Sequence, residues 1–337
     1  MKQLFWKTCR VFARIVLAFL ACYMPAQATT LNVVTALSQN DPMYKGLLRF
    51  KQAVEKGSDN QIKVRLFVGS QLGNDNDILE QAMAGAPVAV LVDAGRLSFY
   101  QPEIGVLSAP YLIDNVEQLN VLVQSPMFAQ WANALATQSG IKVLGFNWWQ
   151  GERHVLTNKP VFAPDDLDGV RLRTIGAPVW ISTIRAMGAT PTPLSWAEVY
   201  SGLQQRVIDG AEAQHAGTYG ARLYEVIGYV NKTRHIHLIS GLVASNHWFS
   251  RLSKAHQSLV QKSALEAGAF ATSLVQARQS EIEQALAAAG VEIVEPDIDA
   301  FKLATQQVYT ELGYENVYQR IQQYLAEQMG VDIRESH

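Results

Sequence analysis

"MGATPTPLSWAEVYSGLQQRVIDGAEA", residues 187–213, holds two pieces of regular structure with the boundary between them written into the residues. Pro191 and Pro193 keep the approach extended, because each ring fixes its own φ and biases the preceding residue away from the helical region. Ser195 followed by Glu198 is a capping-box pattern, and Leu194 is placed to staple onto Val199. The spacing predicts a helix over 196–206, opened by Trp196, then a short strand in "VIDGAEA". The staple does not need Trp196. Its indole either walls a ligand or covers core at a domain edge.

The same alternation runs outward through the first two-thirds of the chain. Strand-like runs ("LNVVTAL", "IKVRLFV", "PVAVLVD", "IKVLGFNWW", "GVRLRT", "RHIHLI") are separated by helical patterns near 43–56, 75–84, 117–138 and 178–187. Such alternation argues for an α/β protein with mostly parallel sheets. The last third differs. From Ser253 to Ala289 there is no proline, and Gly268 is the only glycine. Leu259, Ala267, Phe270, Ala271, Leu274 and Ile282 recur at helical spacing, and Gly290 is a stop signal. A continuous helix there is on the order of 55 Å long at 1.5 Å per residue. It either breaks near Gly268 or spans two lobes. A final helix carries Tyr314, Val317, Tyr318, Ile321 and Leu325 on one face.

The chain has 337 residues, 48% hydrophobic and 17% charged, which describes a globular protein with a sizeable core. A net charge of −2 gives no electrostatic footprint for nucleic acid. Residues 1–28 read as an export signal: Lys2, Lys7, Arg10 and Arg14 precede the apolar run "IVLAFLACYM", and "AQA" marks cleavage after Ala28. The alternative is a lipoprotein signal anchored through Cys22. Removing the segment leaves 24 Lys and Arg against 30 Asp and Glu, a formal charge of −6, and takes away both cysteines. The expected mature chain is periplasmic, without disulfides or thiol chemistry.

Enzyme templates are absent: no Gly-rich dinucleotide fingerprint, no P-loop, no G-x-S-x-G. His235 and His237 share a strand face but lack a nearby third ligand, and Asp165, Asp166 and Asp168 lack EF-hand spacing. No metal and no cofactor is expected. Arginine in apolar surroundings stands out instead: Arg96 in "DAGRLSFY", Arg153 in "WQGERHVLT" and Arg173 in "GVRLRT". A guanidinium is suited to carboxylate, since its planar fork donates two parallel hydrogen bonds and keeps its charge. For any one of them a structural salt bridge, to Asp93 or Glu103 for example, is the competing reading. Arg171, beside Arg173, reads as a surface or inter-lobe salt-bridge partner.

"SQLGNDNDILEQAMAG", "GERHVLTNKPV…DDLDGVRLRTIGAP" and the 187–213 stretch together resemble the hallmark segments of the tripartite ATP-independent periplasmic (TRAP) transporter solute-binding proteins, of the C4-dicarboxylate and organic-acid type. The order G-A-x-P-T-P, E-V-Y, L-Q and V-x-D-G-x-E within 188–212 is the specific part. The resemblance implies a periplasmic-binding-protein-like fold of two α/β lobes around a hinged cleft, with crossing strands and a long inter-lobe helix. Residues 29–150 with about 239–278 would form one lobe, and 151–238 with about 279–332 the other. By motif position Arg173 matches the arginine that clamps the substrate carboxylate and Arg153 a second arginine near it. Trp196 falls where a pocket phenylalanine is usual, and Asp93 and Arg96 where an acid and an arginine touch the ligand's polar end. Asp75 and Gly176, within the same segments, complete the expected ligand-binding set.

The chain departs from the pattern at Ala213 and Ala36, where family members often carry an asparagine. Trp148, Trp149, Trp180 and Trp196 hint at an aromatic pocket. The implied partners are a small organic acid and the small and large membrane subunits of a TRAP permease, with the carrier a monomer. Two other functions stay open on the residues alone. One is an exported hydrolase or lyase built on Glu152, His154 and His215; the other is a ligand-binding partner of a membrane sensor.

Overall fold

The computed structural model describes residues 28–330. The expected export signal, including Cys22, therefore lies outside the described residues apart from Ala28. Nine strands form one sheet in the order β2-β1-β3-β8-β4-β7-β5-β6, with β9 added to β8. The strands are β1 (Thr29–Val34), β2 (Ile62–Phe67), β3 (Val88–Asp93), β4 (Ile141–Thr157), β5 (Arg171–Thr174), β6 (Thr190–Pro193), β7 (Gly210–Ala213), β8 (Tyr229–Ser245) and β9 (Glu292–Val294).

The outer strands pair in parallel: β1 with β2 and β3, and β5 with β6 and β7. β4 and β8 are antiparallel, 17 residues each, and run together from Ile141↔Ser245 to Thr157↔Tyr229. Their far reaches serve different neighbours. β3 takes residues 240–244 of β8, whereas β9 takes 229–231 of β8 and β7 takes 154–157 of β4. The two long strands thus join two α/β halves. Register shifts along β4, one of them at Gly151 with φ 114°, let the sheet twist between the halves.

One large apolar cluster holds Leu31, Phe50, Trp131 and Trp148; two smaller ones, around Leu156 and Leu286 and around Leu172 and Phe301, flank the other half of the sheet. The long helix is continuous over Lys254–Ala288, 35 residues, or about 52 Å. Gly268 does not break it. A Cβ there would lie 2.8 Å from the Trp148 indole, so the glycine lets helix and β4 approach. The expected helix over 117–138 divides at Ser125–Pro126. Ser125 caps a new helix, Pro126–Ala134, by accepting from Phe128 N at 3.1 Å.

The C-terminal helix Glu315–Met329 differs from the expected division. Its Val317, Ile321 and Leu325 pack into the large cluster with Val116 and Leu119, away from the second half of the sheet. The reason is the crossing that precedes it: Tyr309 donates to the Pro110 carbonyl at 2.7 Å, and Gln322 then donates to that of Leu112 at 2.8 Å.

In 187–213, Pro191 and Pro193 lie in β6, an edge strand where a missing N–H does no harm. Trp196–Glu198 is a 3-10 turn and the α-helix is only Val199–Gln204, shorter than 196–206. The capping box does not form as expected. The Ser195 hydroxyl donates to the Glu198 carboxylate, leaving no side-chain cap on the backbone.

Candidate functional site

A cavity of about 60 Å³ is lined by Arg173, Arg153, Trp196, Asp93, Arg96 and Asp75, six of the seven expected residues. Gly176 lines the adjoining outer cleft of about 270 Å³, which shares Asp75, Arg96 and Trp196 with the inner cavity.

Arg153 is held by the strand next door. β7 pairs with β4 in a register that sets Val155 opposite Glu212. The Arg153 guanidinium donates to the Glu212 carboxylate and carbonyl, and to Gln214 Oε1 at 3.0 Å. Its flat face lies 5.0 Å from the Trp180 ring. Burial alone would raise the Glu212 carboxyl; Arg153 and His235, whose Nε2 is 3.8 Å away, outweigh it and hold it at about 2. From Gln214 the bonding continues to Gln150 Oε1 (3.1 Å), and from Gln150 to Ser240 Oγ (2.6 Å), so a neutral polar wall lines the cavity.

Arg173 is the third residue of β5 and is 1% exposed. Two residues earlier, Arg171 is bound outside to Asp209, as read from the sequence. The Arg173 Nε donates to the Leu194 carbonyl at 2.9 Å, and its guanidinium sits 5.4 Å from the Trp196 ring centroid. Nη1 is 4.0 Å from Glu212, too far for a hydrogen bond. Neither Nη donates to any partner among the described residues. Burial pushes this group down to about 9, against the pull of Glu212 and with a further push from Arg153 and Arg96. It is a cation short of a counter-ion.

At the far side, Asp93 ends β3 and caps the short helix Ala94–Leu97. It accepts from Arg96 N at 3.1 Å and Trp180 Nε1 at 2.9 Å, and pairs with the Arg96 guanidinium. Gly95 is required here, because a Cβ would collide with the Trp180 indole. Arg96 also reaches Asp75 at 3.4 Å. Burial lowers the Arg96 pKa, but Asp93 and Asp75 outweigh that and raise it. Asp75 opens the helix Asp75–Met83, placed by the Asn74 cap.

Of the four tryptophans one lines the site, joined on the outer cleft by Phe99. Trp148 and Trp180 are core, Trp149 stacks on His237, and only Trp196 faces the cavity. Ala36 lines the cavity; Ala213 is buried behind it, and its neighbour Gln214 supplies an amide instead. Sequence reading missed Glu212, Gln150, Gln214 and Ser240. Glu212 carried no signal: an acid between Ala211 and Ala213 in a strand reads as a polar residue on the opposite, solvated face, and only the sheet around it buries it. His235 and His237 have different neighbours, Thr233 and Glu152, and no group of three potential metal ligands occurs among the described residues. Asp166 closes a turn by accepting from Phe162 N and Ala163 N. His154 and His215 pack with centroids 4.6 Å apart and ring planes tilted by 48°, beside a second cavity of only about 10 Å³.

Residues 33–316 match the family model described as bacterial extracellular solute-binding protein, family 7. The chain is 41% identical to a TRAP periplasmic solute-binding protein of Escherichia fergusonii, solved in an open, ligand-free form, over 88% of this chain and all of that one (TM-score 0.78). It is 30% identical to one of Actinobacillus succinogenes with bound L-galactonate, over 89% of this chain and all of that one (TM-score 0.86). It is also 32% identical over 250 residues to the ectoine/5-hydroxyectoine-binding periplasmic protein UehA of Ruegeria pomeroyi, covering 74% of this chain and 73% of that one.

Proposed function

We propose, for a chain that belongs to family 7 of the bacterial extracellular solute-binding proteins, that Arg173 captures the carboxylate of a small organic acid for delivery to the small and large subunits of a TRAP-type permease. The observation that carries this reading is the pair of unbonded Nη donors on a buried arginine. A carboxylate accepts from both in parallel, supplies the missing counter-charge, and lies against the Trp196 indole. Water exclusion in the closed cleft strengthens the pair.

Family membership replaces the hydrolase and lyase alternative, since these proteins bind solutes for transport and do not transform them. The ligands of the relatives, L-galactonate and ectoine, each carry a carboxylate. The better superposition on the liganded relative than on the more identical open one supports a closed cleft here.

In this reading the protein works outside the cytoplasm as a monomer, after removal of residues 1–28. Residues 29–150 with about 239–278 close against 151–238 with about 279–305, and the helix Glu315–Met329 travels with the first lobe. The test is a thermal-shift screen of organic acids, each beside its neutral amide or alcohol. A ligand at about 100 times its Kd stabilises by roughly 2.7 kcal/mol, a shift of several degrees. An acid that shifts the transition where its neutral twin does not supports the clamp. Equal shifts from neutral twins would refute it.

A further inference from the structure

The polar wall of the cavity has a direction. An arginine only donates, so the Gln214 amide must turn its oxygen to Arg153 Nη1, at 3.0 Å. Its nitrogen then faces Gln150, which has to present its own oxygen, at 3.1 Å. The Gln150 nitrogen is left toward Ser240 Oγ, at 2.6 Å. An amide has two unlike ends, and fixing one fixes the other. The donors therefore run one way, from Arg153 through Gln214 and Gln150 to Ser240, with the Glu212 carboxylate holding Arg153 in place behind them.

The chain ends on an unused hydrogen. Ser240 accepts from Gln150, and its O–H donates to no group among the described residues. The residue is 1% exposed and lines the inner cavity. Asp93 stands opposite it on β3, but that carboxylate is taken by Arg96 and Trp180. A buried hydroxyl whose oxygen already accepts is left as a donor, and a buried donor without a partner is costly. The chain also crosses the molecule. Gln214 precedes the helix His215–Gly220 beyond β7, Gln150 sits on β4, and Ser240 lies where β8 pairs with β3. A cation fixed in one half thus dictates what the other half offers to the cavity.

We propose that Ser240 is a specificity residue of this site: its hydroxyl donates to an acceptor oxygen of the ligand beyond the two held by Arg173. Gln214 and Gln150 are positioning residues that keep it a donor. This rests on the Arg173 clamp. A ligand carbonyl at that point takes the O–H directly. A ligand hydroxyl accepts it but has to send its own proton elsewhere, and a methylene leaves the donor unpaired.

The experiment is NMR titration at pH 7 with trios of monocarboxylates that differ only in C=O, CHOH or CH2 at one carbon. Pyruvate, lactate and propionate vary the carbon next to the carboxylate; acetoacetate, 3-hydroxybutyrate and butyrate the following one; levulinate, 4-hydroxypentanoate and pentanoate the one after that. In the trio whose oxygen reaches Ser240, wild type should bind the oxo acid about fivefold or more tighter than the CH2 acid. Ser240→Ala should close that gap to within about twofold. Gln214→Glu turns the chain round. Ionised beside Arg153, the new side chain accepts at both ends, so Gln150 donates to it, presents its oxygen to Ser240 and takes the O–H. Ser240 then offers the ligand only lone pairs, and the oxo-to-hydroxy affinity ratio should fall by about tenfold. The added charge acts on both acids of the pair and cancels in the ratio. No gap in any trio, a gap that survives Ser240→Ala, or a ratio unmoved by Gln214→Glu overturns the proposal. If none of these acids binds, it falls as well. Arg173→Ala should weaken all three members of a trio alike, so a failed clamp, seen as affinity retained in that variant, is told apart from a failed Ser240 donor.

Discussion

Arg153 and Arg173 stand on strands that flank β7, equally buried and both against a tryptophan, yet they are in opposite states. Glu212, on the strand between them, gives its carboxylate to Arg153 and remains 4.0 Å from Arg173. Arg153 is a finished part of the fold. Arg173 has only the Leu194 carbonyl. The difference teaches that a buried arginine is no evidence of a ligand; a buried arginine with free donors is.

Substitution can break that contrast. Arg153→Ala should cost the fold the most, about 3–5 kcal/mol, because it leaves Glu212 ionised and unpaired in the interior. Chemical denaturation measures it, and a midpoint equal to wild type would mean that Arg153 is not structural. Arg173→Ala should do the reverse. It costs about 2–5 kcal/mol in ligand affinity and far less in stability of the empty protein. Arg173→Lys should bind poorly too, since a point charge cannot replace the fork. If the two arginines exchange these signatures, the roles assigned to them are reversed. Trp196→Ala probes the closing surface. Affinity should fall by about 1 kcal/mol, the scale of a partly desolvated cation–π contact, with little change in melting because the indole is only half-buried.

Much of this was legible in the sequence, for reasons that differ by element. Strand-like runs predicted the parallel outer strands, because each is short and bounded by turn residues. The length of β4 and β8 was not legible: their far halves carry Gln150, Glu152, Arg153, Lys232, Arg234 and His235, polar residues that interrupt an apolar run yet are paired or buried in the middle of the sheet. Gly268 read as a possible break because a lone sequence does not show the Trp148 ring against which it packs. At the site, Arg173 and Arg153 could be named from motif position, but which one was unfinished depended on Glu212, whose partner lies 59 residues away in the chain. The helical stripe of 315–329 was visible, and the half it covers was not, since an apolar stripe carries no address.

Acid sharpens the contrast with the smallest effect, one expected on stability but not on affinity. Burial pushes the His154, His215 and His235 side chains below their ordinary 6.5, in His154 well below; Glu283 beside His215 and Glu212 beside His235 pull the other way without cancelling it, and neighbouring cations add to the lowering. Lowered values mean that the unfolded chain binds protons that the folded one refuses. Stability therefore declines as pH falls below the ordinary histidine value of about 6.5. Glu212 is lowered as well, but as an acid: its contribution is complete above its ordinary 4.5 and is lost only as pH falls on toward about 2. Between pH 6.5 and 4.5 the loss comes from the histidines and is partly offset by Asp41, whose buried carboxyl is raised to about 6 and takes up a proton in the folded state there, and His154→Gln should flatten the slope of denaturation midpoint against pH. Arg173 keeps its charge throughout this range, since its pKa of about 9 lies above it, and a typical carboxylate ligand stays ionised over most of it. Affinity at pH 5.5 should then stay within about twofold of its value at pH 7 while the melting temperature falls. An affinity that fell in step with stability would join the histidine cluster to the Arg173 corner, and the separation of a finished corner from an open one would not stand.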